Sequence, residues 1–299
     1  MSAEAPPTVS APEASPPRKP LPPGACDAHS HVFGPFDRFP PVARSIYALP
    51  EAGPQVHARL RQTLGVARGV LTQPAPYWKD PGAMLAAIAE APDVMRGIAV
   101  ADETVDDATL ERWRTAGITG LRFIEMRTPS GERYPGSVGF AAFKALALRM
   151  RAFGLHAQLW AKAADLAEEL PNLLRHRVPI VLDHMGCPNP SEGIAGPAFS
   201  WIADLLGGED LWIKLVLCRA ASDAPDYGSV RAMHDLFVER APDRLVWGSD
   251  WPYVRMQPSP DAGHLLGVLQ DWLGDEDLVK RILVANPARL YGFSEELSA

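Results

Sequence analysis

Cysteine is scarce in this 299-residue chain: Cys26, Cys187 and Cys218 are odd in number and form no CxxC pair. That excludes a disulfide framework or a zinc ribbon and fits a reducing compartment. Positive charge is not in excess either, with 29 Lys and Arg against 36 Asp and Glu and a net charge of −7. The basic residues are scattered rather than striped, so nucleic acid is not an expected partner. The first 24 residues hold no apolar stretch able to form a signal-peptide core or a membrane span. No membrane partner is expected, and the cytoplasm is the expected compartment. No GxGxxG motif opens a helix after the first strand-like run, as a dinucleotide-binding fold requires. Chemistry on a small-molecule substrate remains, and nothing in the sequence addresses the oligomeric state.

The composition, 47% hydrophobic and 22% charged, can bury one large core. Residues 1–24 are rich in Pro, Ala and Ser and read as a disordered tail, leaving 25–295 as a single domain. Within that domain strand-like runs recur near 26–32, 67–73, 96–101, 118–124, 154–160, 178–184, 211–217 and 244–250. Helical spacing of apolar residues fills 81–91, 106–116, 140–153, 161–175, 197–206 and 230–240. Asp106 or Asp107 and Gly117 supply start and stop signals for one of these helices. Strand and helix alternating eight times is the pattern of an α/β fold of the (β/α)8 TIM-barrel type.

The chemistry-bearing residues fall at the ends of these runs. His29 and His31 end the first strand, and a period of two points both side chains the same way, with Asp27 on the same face. Arg122 ends the fourth strand, Trp160 the fifth, His184 the sixth and Asp250 the eighth. In a TIM barrel all of these meet at the catalytic mouth.

Four segments carry a family resemblance: DAHSHVFGP at 27–35, LDHMG at 182–186, WGSDWP at 247–252 and the closing run from Ile282 to Gly292. Together they resemble the amidohydrolase superfamily, in the branch of 2-pyrone-4,6-dicarboxylate lactonase and related sugar lactonases. The resemblance spans about Gly24 to Phe293. It implies a barrel with His29, His31, His184 and Asp250 around the reacting centre, and a hydrolase that opens a lactone of a small carboxylated or sugar-acid substrate.

Superfamily members with two metals place a Lys or Glu on the fourth strand and a His on the fifth. Here the fourth carries Arg122, which cannot ligate a metal, and the fifth offers only His156, early in the strand and deep in the barrel. Two histidines and a carboxylate suffice for one divalent metal such as zinc, with His184 ligating or holding the bound water. Metal-free catalysis fits the same residues. Asp250 is the expected proton acceptor and donor, and the histidines are expected to stabilise charge on the carbonyl oxygen. Asp27 is placed to orient an imidazole.

Arg122 is the expected grip on a substrate carboxylate, with Tyr47, Arg127 and Arg219 in loops over the mouth and Trp160 as a pocket wall. Tyr253 stands where the lactonase pattern has a His, and Cys187 where it has a basic residue; fewer cations imply a less charged substrate. Cys187 and Cys218 are expected to be packed thiols. His57, His176, His234 and His264 belong on the outer helices. A decarboxylase or lactone isomerase of the same superfamily, and a catalytically dead binding barrel, are the competing readings.

Overall fold

A computed structural model describes residues 7–128, 131–208 and 210–294. Its strands are β1 (Thr8–Ser10), β2 (Cys26–Ser30), β3 (Leu49–Glu51), β4 (Arg68–Thr72), β5 (Met95–Ala99), β6 (Ile118–Ile124), β7 (His156–Trp160), β8 (Ile180–Leu182), β9 (Leu211–Leu215) and β10 (Leu245–Trp247). β2 and β4 to β10 form one parallel sheet in chain order. β4, β8, β9 and β10 are largely apolar runs buried at every position, as a parallel sheet sheathed in helices requires.

The sheet closes on itself beyond the last strand. Asp250 N donates to His29 O at 2.7 Å, and His31 N to Trp251 O at 2.9 Å. The result is a (β/α)8 TIM barrel, as the strand count predicts. Helices Gly82–Ala89, Asp107–Thr115, Phe140–Ala152, Ala163–Leu174, Pro197–Leu205 and Arg231–Arg240 occupy the expected segments. Asp106 caps the second of these by accepting from Thr109 N at 2.7 Å. Helices Pro54–Leu64 and Ala262–Leu273 complete the ring.

The expected alternation from Asp27 to His31 does not hold. The β2 register slips between Asp27 and Ser30, and Cys26 and Ala28 join an inner apolar cluster with Val70, Ile98, Val181, Trp212 and Val246. A bulge resets which side chains face inward. Asp27 is therefore not beneath His29 as an imidazole partner. It accepts from the backbone N–H groups of His29 and Ser249, both at 3.0 Å, and from Ser249 Oγ at 2.6 Å. The carboxylate thus staples the first barrel strand to the last.

Residues 7–24, within the expected tail, add no strand to the barrel. They lie along the barrel as an arm, with β1 paired in parallel to β3 and further hydrogen bonds to Trp251 and Asp261. A Pro-rich composition hides this because much of what holds the arm is hydrogen bonding to backbone and carboxylate groups, with only Ala11, Ala14 and Leu21 packed on the core.

The closing motif acts on the barrel's underside, where the buried Asn286 donates from Nδ2 to Pro242 O and Leu245 O, both at 2.7 Å. Replacing Asn286 by Ala leaves both carbonyls without this donor and is expected to cost about 1–3 kcal/mol of stability. Urea unfolding should show a lower midpoint with an unchanged slope.

Candidate active site

The barrel brings the four groups at the strand ends to one point. His29 Nε2, His31 Nε2 and His184 Nε2 stand 3.4, 3.5 and 3.5 Å from the same oxygen, Asp250 Oδ1. All four residues are buried. The other Asp250 oxygen accepts from Arg219 Nε at 2.5 Å, and Arg219 also donates to Val254 O at 2.8 Å. Arg219 thus turns Oδ1 toward the histidines. Burial alone would raise the Asp250 carboxyl, yet the Arg219 guanidinium and the imidazoles of His184 and His31 around it hold it well below the usual carboxylate range. It is ionised at neutral pH.

Local backbone geometry serves this convergence. His184 and Asp250 both adopt left-handed conformations, at φ 51° and 64°, which non-glycine residues seldom do. Such conformations cluster where side chains must be aimed at a site. Gly248, in the WGSDWP segment, allows the close approach: a Cβ there would stand 2.4 Å from His29 Cβ.

A second layer of charge lies beneath. His29 Nδ1 meets Asp183 Oδ1 at 3.2 Å, and Asp183 Oδ2 accepts from Arg122 at 3.2 Å and from Gln158 at 3.1 Å. Lys214 Nζ donates to Gln158 Oε1 at 2.6 Å and lies 3.8 Å from Asp183 Oδ1. Burial pushes Lys214 down to about 8, and pushes His29 well below the usual histidine value. Asp183 is lowered for a different reason: burial would raise it, but His29, Arg122 and Lys214 hold it well below the carboxylate range. His31 Nδ1 donates to Thr72 O at 2.6 Å, because a carbonyl oxygen only accepts, so its Nε2 is free to face Asp250. Asp183 and the Thr72 carbonyl therefore orient the two imidazoles, the task expected of Asp27.

Asp183, Gln158 and Lys214 were not singled out from the sequence. The Lys214 signal is present there, as a lone cation inside the apolar run LWIKLVL, where an unpaired charge is seldom tolerated.

His31, Phe33, Tyr47, Arg122, Tyr134, Trp160, His184, Arg219, Asp250 and Arg255 line the pocket above the centre. Of the expected substrate-binding residues, Arg122, Tyr47, Trp160 and Arg219 are there. Arg127 is half exposed and paired with Glu125 at 3.4 Å. Tyr253 is buried in the apolar core. Neither lines the pocket. Cys187 and Cys218 are unactivated thiols, burial pushing Cys187 up to about 12. His156 sits in the inner layer against Tyr291, its ring pushed down to about 3 by burial. His57, His176, His234 and His264 lie on or beside the outer helices.

The residues fit a single divalent cation. Buried Nε2 atoms of His29 and His184 have no hydrogen-bond partner, and their distances to Asp250 Oδ1 exceed a good hydrogen bond. Donors sharing one cation with bonds of about 2.0–2.2 Å stand roughly 3–3.5 Å apart. Among the described residues the possible ligand groups are His29, His31 and Asp250, or His29, Asp183 and His184. They share His29, and Asp183 is already engaged by Arg122 and Gln158, which favours the first group.

The family model described as amidohydrolase matches residues 26–293. This chain belongs to the amidohydrolase family. This amidohydrolase is 31% identical to a 2-pyrone-4,6-dicarboxylate hydrolase of Comamonas testosteroni over 93% of each chain. It is 29% identical to a 4-sulfomuconolactone hydrolase of Hydrogenophaga intermedia, covering 91% of this chain and 90% of that one. Among solved structures, the Acinetobacter baumannii protein described as a probable 2-pyrone-4,6-dicarboxylic acid hydrolase, with citric acid bound, has a TM-score of 0.79 and 26% identity. It matches over 90% of this chain and 100% of its own. The family, the barrel and its hydrolytic character agree with the resemblance carried by the four motifs.

Asp183→Asn should destabilise this amidohydrolase by about 3–5 kcal/mol at neutral pH, since Arg122 and Lys214 lose their buried counter-charge. Because the folded Asp183 lies below its ordinary value of 3.8, its contribution is complete above that value and fades as pH falls through the lowered one. Urea unfolding at neutral pH and at about pH 3 should show the gap between parent and variant shrinking in acid.

Proposed function

We propose that this amidohydrolase opens a lactone ring by attack of water on the ester carbonyl. The observation that carries the reading is the ionised Asp250 oxygen ringed by three imidazoles at the floor of an aromatic, arginine-bearing pocket. The lactone-hydrolysing relatives support it.

Asp250 Oδ1 accepts the proton of the attacking water and returns it to the ring oxygen as the acyl bond breaks. Proton transfer of this kind contributes typically ~10²–10⁴-fold. Arg219 fixes the carboxylate through Oδ2, so the basic oxygen does not rotate away. His29 and His31, each held in one tautomer by its Nδ1 partner, present Nε2 to the same point, and His184 completes the ring. A divalent cation held by His29, His31 and Asp250, zinc by its donor set, would polarise the carbonyl and acidify the water.

Arg122 gives one nitrogen to Asp183 and keeps a buried Nε without a partner, at a position lining the pocket. It is the residue for a substrate carboxylate. Trp160, which packs edge-on against His184 with ring centroids 5.4 Å apart, and Tyr47 form walls that keep bulk water from the carbonyl. The decarboxylase reading loses support, because the expected fifth-strand ligand is absent from the mouth: Trp160 ends that strand and His156 lies deep below.

Asp250→Asn should lower lactone turnover about 10²–10⁴-fold while leaving ligand binding largely intact. Reaction in ¹⁸O-labelled water should place one labelled oxygen in the acid product. A lactone product without label would show isomerisation instead, and released carbon dioxide would show decarboxylation.

A further inference from the structure

The arm formed by residues 7–24 packs Ala11, Ala14 and Leu21 against the barrel and is fastened by hydrogen bonds at several points, one of them one residue beyond Asp250. Leu49 N donates to Pro7 O at 2.9 Å where β1 pairs with β3, in the loop that follows His31 and carries Tyr47. Trp251 Nε1, one residue beyond Asp250, donates to Pro12 O at 2.8 Å. Ser15 donates to Asp261 from N at 3.0 Å and from Oγ at 2.5 Å. Lys19 pairs with Asp271 at 2.7 Å, and Gln270 donates to Pro20 O at 3.3 Å.

Between these points the arm spans a cavity of about 400 Å³ bordered by Pro12, Val56, Leu60 and Trp251. Discrete bonds hold it, rather than continuous packing. Gly263 marks the crossing. A Cβ there would stand 2.0 Å from Ser15 O and 2.8 Å from Ser15 C, so only a bare helix start leaves room for the arm.

We propose that the N-terminal arm is a strap that positions Asp250 for proton transfer, acting through Trp251. The inference rests on the reading of Asp250 as the reacting carboxylate. Residues 249–251 are gripped on the inner side by β2, through Asp250 N to His29 O and His31 N to Trp251 O. On the outer side, the Trp251 indole is held by the arm. Asp250 sits between the two grips in a left-handed conformation that has no intrinsic preference to persist. A misplacement of about 1 Å at a reacting group costs on the order of 10²-fold in rate.

The test uses the full-length protein carrying Gly263→Ala, which suits the helix but not the arm. Arm release is read from the rate of trypsin cleavage after Arg18. We expect cleavage to accelerate at least tenfold and kcat for the lactone to fall roughly ten- to hundredfold, with KM changed by less than about threefold. Trp251→Phe keeps the ring, removes the bond to Pro12 O and should lower kcat in the same direction. The strap is overturned if the arm is freed and kcat stays within about twofold of the parent, or if Gly263→Ala is cut no faster than the parent. Parent turnover is measured first, so failure of the lactone reading appears in the parent. Failure of the strap appears only in the comparison of parent with variant.

Discussion

Two backbone hydrogen bonds decide whether this protein has an active site: Asp250 N to His29 O and His31 N to Trp251 O. Without them the first strand and the segment after the last are neighbours by topology only, and the reacting carboxylate has no fixed distance to the imidazoles. The closure is cramped. It requires the bare Cα of Gly248 against His29, the bulge in β2, and the Asp27 carboxylate bridging His29 N to Ser249. Motif positions that look like separate pieces of chemistry are in fact one closure, in which some residues react and others bring strand to strand.

The centre must also keep several charges in a region that water does not reach. Arg122, Lys214 and Arg219 are set against Asp183 and Asp250, and each cation has a carboxylate within 4 Å. Burial of any one of these alone would shift its proton equilibrium toward neutrality. Both Lys214 and Asp183 are moved down, which brings the ammonium nearer its neutral form and keeps the carboxylate charged, so the environment favours the anion. Two carboxylates remain ionised because guanidinium and imidazole groups outweigh desolvation. An ionised Asp183 gives His29 a fixed hydrogen-bond acceptor, and an ionised Asp250 presents one oxygen to three imidazoles.

Most of the barrel was legible because its strands are short apolar runs between helices of regular period, and a parallel sheet leaves that pattern nearly undisturbed. His29, His31, His184 and Asp250 were legible for a related reason, since strand ends in this architecture converge whatever their separation in sequence. What escaped depends on geometry that period-two reasoning cannot hold. The bulge moved Asp27 off the imidazole face, and Asp183, visible in LDHMG as the residue before His184, took its place. The arm escaped because hydrogen bonds to backbone carbonyls, such as Trp251 to Pro12, leave no mark on composition. Arg127 was placed by loop position and Tyr253 by its place after the WGSDWP motif, and neither determines the direction of a side chain.

The pocket's charge balance narrows what a lactone substrate can carry. Arg219 is committed to Asp250 and the Val254 carbonyl. Arg122 divides itself between Asp183 below and the pocket above, with its guanidinium 5.4 Å from the centre of the Trp160 ring. Arg255 lies over the Tyr134 ring, 5.3 Å from its centre. Cys187, where a further cation is expected from the lactonase pattern, is a thiol pushed up to about 12 and carries no charge at neutral pH. Arg122 and Arg255 are thus the guanidinium groups of the lining that are not committed to Asp250, beside the aromatic surfaces of Phe33, Tyr47, Tyr134 and Trp160. On the lactone reading, an acid group on the ring is favoured beside Arg122 or Arg255 and disfavoured beside Asp250, since like charges about 4 Å apart cost about 4 kcal/mol at an effective dielectric near 20.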